Sequence, residues 1–377
     1  MLRLFVNNHS YTTFISVGID KSYVNLCNSF SCVLSLIPEK THTPIRSGDI
    51  FVVYHGDETI MTGYIDSAVI DQSVKGSTIN LEGRDLTQDL LDSTLDSTLA
   101  PQISGGFYLD EIAQKLIDNL GIPIKATYDS SQTRPFFKQD EFLTVTLGDT
   151  GYNYLEKYAK KAQVYLNTDP KGNINITSAV NAPLISTKLL LDTSSNLTNN
   201  ILHSTTTYDS KNLFSKYKCH AQQHKLPIYI DKLKNASEYD TEINNITGLS
   251  QLKGVRTSRI FNFVADTPMN LATANKRAAL QANFSRSNYF QYRCKVVGFT
   301  YDGITIWRTN IKVHVLDKLA GVNAILLVSE VHYVLSATEG ETTELILVYP
   351  DAFTLKAERT EQEQQSQKVG DVYNSTQ

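Results

Sequence analysis

Two groups of residues have types and spacings that could support chemistry. A repeated Asp-Ser-Thr places carboxylates at Asp92 and Asp96, and a pair of carboxylates is what glycoside hydrolysis requires. On one helical turn, however, these side chains are better explained as exposed or capping groups. Cys219, His220 and His224 have zinc-ligand chemistry but no clean fourth ligand, so ordinary surface or core roles fit better. The sequence therefore predicts no catalytic residue and no metal site.

Absent motifs, net charge and composition argue against several classes of function. The metalloprotease motif H-E-x-x-H, the G-x-S-x-G elbow, the phosphate-binding P-loop and the dinucleotide motif G-x-G-x-x-G are all absent, so neither a cofactor nor an enzymatic activity is expected. A net charge of −4 and a pI near 6.1 argue against strong binding to nucleic acid. No apolar stretch approaches the length of a membrane span. Four cysteines without a C-x-x-C pair indicate reduced thiols and a cytosolic compartment.

A Gly83-Arg84-Asp85 sequence ends a dense β-type stretch and has two interpretations. In the favoured one, Gly83 permits a turn out of the β region, and Asp85 caps a short helix that begins at Leu86. In the other, Arg84 binds a carboxylate across a subunit boundary, where a bidentate contact gives specificity.

The single tryptophan, Trp307, marks a change in the phase of a β-type alternation. Apolar residues fall first on even and then on odd positions: Ile304, Ile306, Ile311, Val313 and Val315. The phase changes between Trp307 and Asn310. Since side chains alternate with a period of two along a strand, this change predicts a corner between two strands, or a bulge.

Two segments of the chain, 48–85 and 310–351, share one order of β-type runs and turns. The first predicts strands at 50–55, 59–65, 66–72 and 77–82. The second predicts them at 311–316, 324–329, 330–336 and 343–349. This match indicates an internal duplication of one β-barrel unit, with chance similarity between two meanders as the alternative.

The rest of the chain has mixed character. Helices are predicted at 107–120, 151–163 and 267–285, a hairpin at 164–178, one or two strands at 201–221, a strand at 289–299 and a long loop at 222–254. The expected fold is therefore mainly β with α+β insertions, with two similar small β-barrel domains flanking a central α+β region. The expected domains are 1–87, 88–180 and 181–353, followed by a polar tail at 354–377 that is either disordered, helical or bound to a partner.

The order of these segments resembles one family, the baseplate hub proteins of contractile phage tails, which include the hub of phage Mu and the late-control tail proteins. The resemblance covers about 1–353 and is carried by these stretches: S-G-D-I-F-V-V-Y, T-G-Y-I-D, L-E-G-R-D-L-T-Q-D-L-L-D, G-D-T-G-Y-N-Y-L-E-K-Y-A-K-K-A-Q-V-Y-L-N-T-D-P-K-G-N-I and D-G-I-T-I-W-R-T-N-I-K-V-H-V-L-D. In this family's pattern, the structural positions are Gly83, Arg84, Asp85, Trp307 and Asn310.

The resemblance implies a structural protein of the virion, belonging to a phage or to a tailocin. Hubs of this kind are homotrimers in which two barrels per chain give six units around a ring, matching a sixfold tail tube and a threefold central spike. The implied partners are the spike, the tube and other baseplate proteins, with DNA passing through the lumen without specific binding and no stable membrane insertion. A tail-associated cell-wall hydrolase and a receptor- or carbohydrate-binding tail module remain the alternatives.

Overall fold

A computed structural model describes residues 1–36, 45–74, 76–96, 106–129, 134–138, 145–162, 164–177, 182–192, 199–224, 243–251, 255–265 and 271–353. The first β region contains β1 (Leu2–Val6), β2 (His9–Tyr11), β3 (Phe14–Ser22), β4 (Ser29–Leu36), β5 (Ile50–His55), β6 (Glu58–Ser73) and β7 (Gly76–Asp85). The middle region contains α1 (Gln88–Asp92), β8 (Phe107–Tyr108), α2 (Leu109–Leu120), β9 (Ala126–Tyr128), β10 (Phe136–Phe137), α3 (Gly151–Ala162), β11 (Tyr165–Thr168) and β12 (Ile174–Thr177). The last region contains β13 (Leu184–Leu191), β14 (Ile201–Tyr208), β15 (Lys216–His224), β16 (Ile243–Gln251), β17 (Ile260–Val264), α4 (Leu271–Tyr289), β18 (Phe290–Val297), β19 (Lys312–Asp317), β20 (Val322–Ser336), β21 (Gly340–Val348) and a 3₁₀ turn at Pro350–Phe353.

One large sheet joins the first and last regions. Its strand order is β14-β18-β21-β20-β3-β4-β7-β6-β5-β1-β2, with β19 paired to β20 and β13 paired to β19. All pairings are antiparallel except that of β13 with β19. Buried residues from both regions, including Phe51, Trp307 and Leu347, pack in one continuous core. The predicted class, mainly β, is confirmed, and the two β regions share a sheet instead of standing apart.

The middle region forms as its apolar pattern predicts. In α2 the buried residues Leu109, Ile112, Ala113, Leu116 and Ile117 recur at helical spacing. Gly121, at φ 69°, ends the helix in the left-handed conformation that glycine adopts without strain. The helix begins two residues later than predicted because Phe107–Tyr108 form a strand with β10.

The three-stranded sheet β11-β12-β9 contributes the rest of the middle region's core. The predicted hairpin is confirmed as β11 and β12, and α3 is confirmed within one residue of its predicted end.

Two pairs of predicted strands were wrong in the same way. The predicted strands 59–65 and 66–72 form the single strand β6, and 324–329 and 330–336 form the single strand β20. Each long strand contains a bulge, between Ile65 and Ser67 in β6 and between Val328 and Glu330 in β20. A bulge shifts the inward and outward alternation by one residue, so in the sequence each half resembles a separate strand.

The prediction of a loop over 222–254 was also wrong in part. The structure continues β15 to His224 and pairs it with β16 from Ile243 to Gln251. Polar residues fill these strands, which hides the period-two apolar signal on which the prediction depended. The core of this small sheet is Tyr217, Cys219 and Ala221, packed beneath alanines of α4.

Helix α4 runs on to Tyr289, four residues beyond its predicted end, and its predicted start at 267 lies outside the described residues. The interior of 222–254, between the two strands, and the polar tail after Phe353 also lie outside them.

Candidate assembly interface

Asp85 anchors the segment that leaves β7. Its carboxylate is 1% exposed and accepts hydrogen bonds from the backbone N–H of Asn28 at 2.9 Å and from its side-chain amide at 2.8 Å. The backbone N–H of Thr87 donates at 3.1 Å, and the Thr87 hydroxyl donates as well. Burial raises the pKa of Asp85, while these donors favour its charged form. Because Thr87 is the N-cap residue of α1, Asp85 positions the cap, and the helix begins at Gln88 instead of Leu86.

Arg84 connects the first β region to the middle region. Its guanidinium donates to Asp66 at 2.9 Å and to Asp92 at 2.7 Å. Both carboxylates belong to the same chain, so this bidentate contact holds β6 and the end of α1 together. Asp92 is therefore engaged in a structural ion pair. The prediction that Asp92 and Asp96 share a helical turn was wrong, because α1 ends at Asp92.

Gly83 has a different role from the predicted turn. It lies inside β7, where an added Cβ would stand 2.5 Å from the Tyr64 carbonyl oxygen and 2.8 Å from the Phe51 ring. Glycine is needed here because the neighbouring strand and the core ring approach too closely for a side chain.

Trp307 and Asn310 lie in the connection that leads into β19. The predicted strand before Trp307 was wrong: Ile306 makes only an isolated bridge to Thr300, and Ile304 is 81% exposed. The Trp307 ring is buried against Tyr301, with centroids 5.4 Å apart. Asn310 adopts φ 61°, a left-handed conformation that asparagine tolerates, and its N–H donates to Val328 at 2.9 Å. The change of phase in the sequence therefore corresponds to a loop that is folded against β20.

The described sheet contains two copies of one six-stranded arrangement. In the first copy the order is β3-β4-β7-β6-β5-β1, and in the second it is β14-β18-β21-β20-β19-β13. The correspondence extends to irregularities in the strands. Besides the matching bulges of β6 and β20, β3 has a bulge at Ile15 and β14 has one at Leu202. Cys32 and Cys294 occupy equivalent positions opposite Leu81 and Leu345. The two copies differ in the last pairing, which is antiparallel for β1 and parallel for β13.

The two copies meet within the chain where the second half of β20 pairs with β3. Seven cross-strand pairs form this junction, from Glu330 opposite Ser22 to Ser336 opposite Ser16. His332 lies between two carboxylates, 2.8 Å from Asp20 and 3.4 Å from Glu330. The hydrogen bond to Asp20, followed by that to Glu330, raises the pKa of His332 to about 9.

Each copy also has a strand edge that pairs with no described strand. The second half of β6 is equivalent to the second half of β20, yet beyond Ile65 only β7 pairs with it. Strand β14 is equivalent to β3, yet it pairs only with β18 among the described strands. Large apolar side chains are exposed along both edges: Val69 at 55%, Ile70 at 45%, Leu202 at 58% and Tyr208 at 57%.

Two of the three candidate zinc ligands lie on opposite faces of β15. Cys219 is buried under α4, whereas His220, the next residue of β15, is exposed on the opposite face. The side chain of His224 lies outside the described residues. Over the described part of the chain, no three metal-binding side chains cluster, and no helix has the length and apolarity to span a membrane.

Models of known protein domains match most of the chain. Residues 1–85 match the model of the N-terminal domain of Mu phage baseplate assembly protein GpP-like sequences, and residues 87–178 match the second domain of gp44-like baseplate hub proteins. Residues 271–356 match the fourth domain of Mu phage baseplate assembly protein GpP. The baseplate hub protein gp44 of Escherichia phage Mu is 23% identical over 372 residues, covering 96% of this chain and 90% of gp44.

Solved structures share the fold. A 43 kDa tail protein of the Shewanella oneidensis prophage MuSo2 superposes with a TM-score of 0.75 at 22% identity, covering 93% of this chain and 98% of that protein. A tail protein of Neisseria meningitidis gives a TM-score of 0.74 at 22% identity with the same coverage. An E. coli component of the type VI secretion system gives a TM-score of 0.55 at 8% identity, covering 92% of this chain and 76% of that one.

The duplicated sheet and the three domain matches together define a structural component of a phage tail baseplate. Within that class, the chain belongs to the family of phage Mu baseplate hub proteins.

Proposed function

We propose that the chain assembles as a homotrimer and joins the sixfold tail tube of the baseplate to the threefold central spike. The observation that carries this proposal is the duplication of one six-stranded unit within a single chain. Three such chains supply six similar units. Assemblies close through rotational symmetry, and a ring of six near-equivalent units formed by three chains is compatible with both partners.

The contacts around the two copies suit a rigid adaptor. One continuous core runs through both, and Arg84 fixes the middle region to the first copy through Asp66 and Asp92. Surfaces that remain on the ring are the expected contacts for the spike, the tube and other baseplate proteins. The net charge of −4 supports passage of DNA through the lumen without binding, because phosphate contacts depend on Lys and Arg.

A structural role also accounts for the groups that could have suggested catalysis. Asp92 is paired with Arg84, and Asp85 is occupied by donors from Asn28 and Thr87. Carboxylates that are engaged in this way hold segments of the chain together. We infer that the protein is not an enzyme.

The test is the solution mass of the purified full chain, measured by size-exclusion chromatography with light scattering. The chain has a mass of 42.2 kDa, so a trimer has three times that mass, 126.6 kDa. A mass near 126.6 kDa supports the proposal, and averaged electron micrographs of the particle should then show six similar lobes. A stable dimer contradicts the proposal, since two chains cannot match a threefold spike.

A further inference from the structure

The two strand edges that pair with no described strand have equivalents elsewhere in the chain that do pair. In the intrachain junction, the second half of β20 pairs with β3. Strand β6 is the equivalent of β20, and β14 is the equivalent of β3, with matching bulges in both comparisons. We propose that the second half of β6 in one chain pairs antiparallel with β14 of a neighbouring copy, repeating the intrachain junction between chains. This inference rests on the proposed trimer and specifies its interface.

The equivalence fixes the register of the proposed pairing. Ile65 corresponds to Val328, because both precede the bulge, and Phe14 corresponds to Ile201 for the same reason. Transferring the register of β20 on β3 gives these pairs between β6 and the neighbouring β14: Ala68 with Tyr208, Val69 with Thr207, Ile70 with Thr206, Asp71 with Thr205, Gln72 with Ser204 and Ser73 with His203.

In this register, the inward-facing side chains of β6 lie opposite the inward-facing side chains of β14. Val17 and Ile19 of β3 point into the core, and their equivalents in β14 are Ser204 and Thr206. Ser204 does face inward, since its hydroxyl donates to the buried Asp317 at 2.8 Å. On the other strand, Ala68 packs against the same core. Inward-facing residues are therefore opposite inward-facing residues, as a continuous sheet requires.

Exposure indicates that the edges are incomplete in a single chain. Tyr333 of β20, paired with Ile19, is 1% exposed, whereas its equivalent Ile70 is 45% exposed. Tyr208 is 57% exposed and would lie opposite the small side chain of Ala68. Exposed apolar strand edges are sites where another chain adds a strand, because the unpaired N–H and C=O groups then form a new ladder.

A second copy is the occupant that these observations favour. The edge of β6 and the edge of β14 are different surfaces, so pairing between them is head-to-tail, and such contacts form rings when the rotation closes. Each chain then supplies one intrachain and one interchain junction, and three chains give six junctions.

The register can be tested by disulfide crosslinking of the full chain with the double variant V69C/T207C. The intrachain equivalents of Val69 and Thr207 are His332 and Asp20, whose side chains are 2.8 Å apart, so this pair is positioned for a bond. Both side chains are exposed. Of the four native cysteines, Cys32, Cys219 and Cys294 are buried and Cys27 is half-buried. After mild oxidation, we expect a covalent species near 126.6 kDa, three times 42.2 kDa, on a non-reducing gel.

The matched control is V69C/T205C, which has the same first cysteine and a partner two residues away. Directly opposite residues have Cβ atoms about 5 Å apart and diagonal ones are about 7–8 Å apart, beyond normal disulfide geometry. The control should therefore crosslink at least about tenfold more slowly than the in-register pair.

Three outcomes separate the interface from the trimer itself. A trimeric mass with crosslinking of the in-register pair alone supports both. A trimeric mass with no crosslink, or with faster crosslinking of the off-register control, overturns the strand pairing and leaves the trimer in place. A monomeric or dimeric mass without crosslinks overturns both. Should the variants fail to fold, hydrogen exchange of the unmodified protein decides: the amides of 67–72 and 203–207 should be protected as strongly as those of 16–22, and rapid exchange in a trimer contradicts the pairing.

Discussion

Replacement of His332 by glutamine should weaken the junction between the two copies in a pH-dependent manner. The ring of His332 bridges Asp20 on β3 and Glu330 on β20, and these carboxylates raise its pKa from 6.5 to about 9. A group whose pKa is raised in the folded state stabilises that state fully below the unfolded pKa of 6.5. The stabilisation is lost as the pH rises through about 9.

The magnitude follows from the pKa difference and from exposure. Going from 6.5 to about 9 corresponds to roughly 3 kcal/mol, at 1.36 kcal/mol per pKa unit, for a pair shielded from water. The side chain of Asp20 is 59% exposed and that of His332 is 27% exposed. Solvent screening at this exposure reduces the expected contribution to about 1 kcal/mol.

The fluorescence of Trp307 provides the assay. It is the only tryptophan, it is buried in the shared core, and its carbonyl accepts a hydrogen bond from Tyr333, the neighbour of His332. Urea unfolding of the wild type and of H332Q at about pH 6 should differ by about 1 kcal/mol, and the difference should vanish by about pH 10. D20N should show a similar loss at about pH 6, and adding H332Q to D20N should cost less than H332Q alone.

If the unfolding free energies of wild type and H332Q differ by the same amount at both pH values, the electrostatic explanation is refuted and lost packing is indicated instead. A difference that grows with rising pH would contradict the sign of the linkage. Full additivity of H332Q and D20N would show that the two side chains do not interact.

Three further predictions, the first with a matched control, test the packing of the fold. Gly63→Ala places a Cβ against the backbone carbonyl of Arg84 and should cost at least about 2 kcal/mol in urea unfolding, whereas Gly18→Ala, which meets only a serine hydroxyl at 3.0 Å, should cost less than about 1 kcal/mol. Equal costs would contradict the steric argument. Asp85→Ala leaves buried donors without an acceptor and should cost about 3 kcal/mol, and a loss below about 1 kcal/mol would show that the donors find other partners. Burial raises the pKa of the Cys294 thiol, so iodoacetamide at about pH 8 should label it only after unfolding, and labelling of the folded protein would mean that this core opens.

Several features could be predicted from the sequence because they depend on local pattern. The apolar spacing of α2, with Gly121 after it, predicted the helix and its end. Alternating runs separated by turn residues predicted the repeated β units, and their order together with the helix–hairpin segment indicated the baseplate hub family. These features could be predicted because each one depends on a pattern within a short stretch of the chain.

Other features required the tertiary structure, because they arise between residues far apart in the chain. A bulge and the end of a strand shift the alternation in the same way, so β6 and β20 each resembled two strands. The polar strand β16 is held by pairing with β15 and has no apolar pattern of its own. The need for glycine at position 83 comes from the close approach of Tyr64 and Phe51, which belong to other strands.

The sequence by itself determined that the chain is mainly β, that a β unit is duplicated, and which family it belongs to. Only the tertiary structure decided that both copies share one sheet, joined by β20 and β3, and that β6 and β14 present the equivalent edges without a described partner. The physical reason is that alternation specifies which face of a strand is buried, whereas the neighbour across each edge is chosen by backbone hydrogen bonds. Every residue type can accept such bonds, and every type except proline can donate them, so they leave little trace in the sequence.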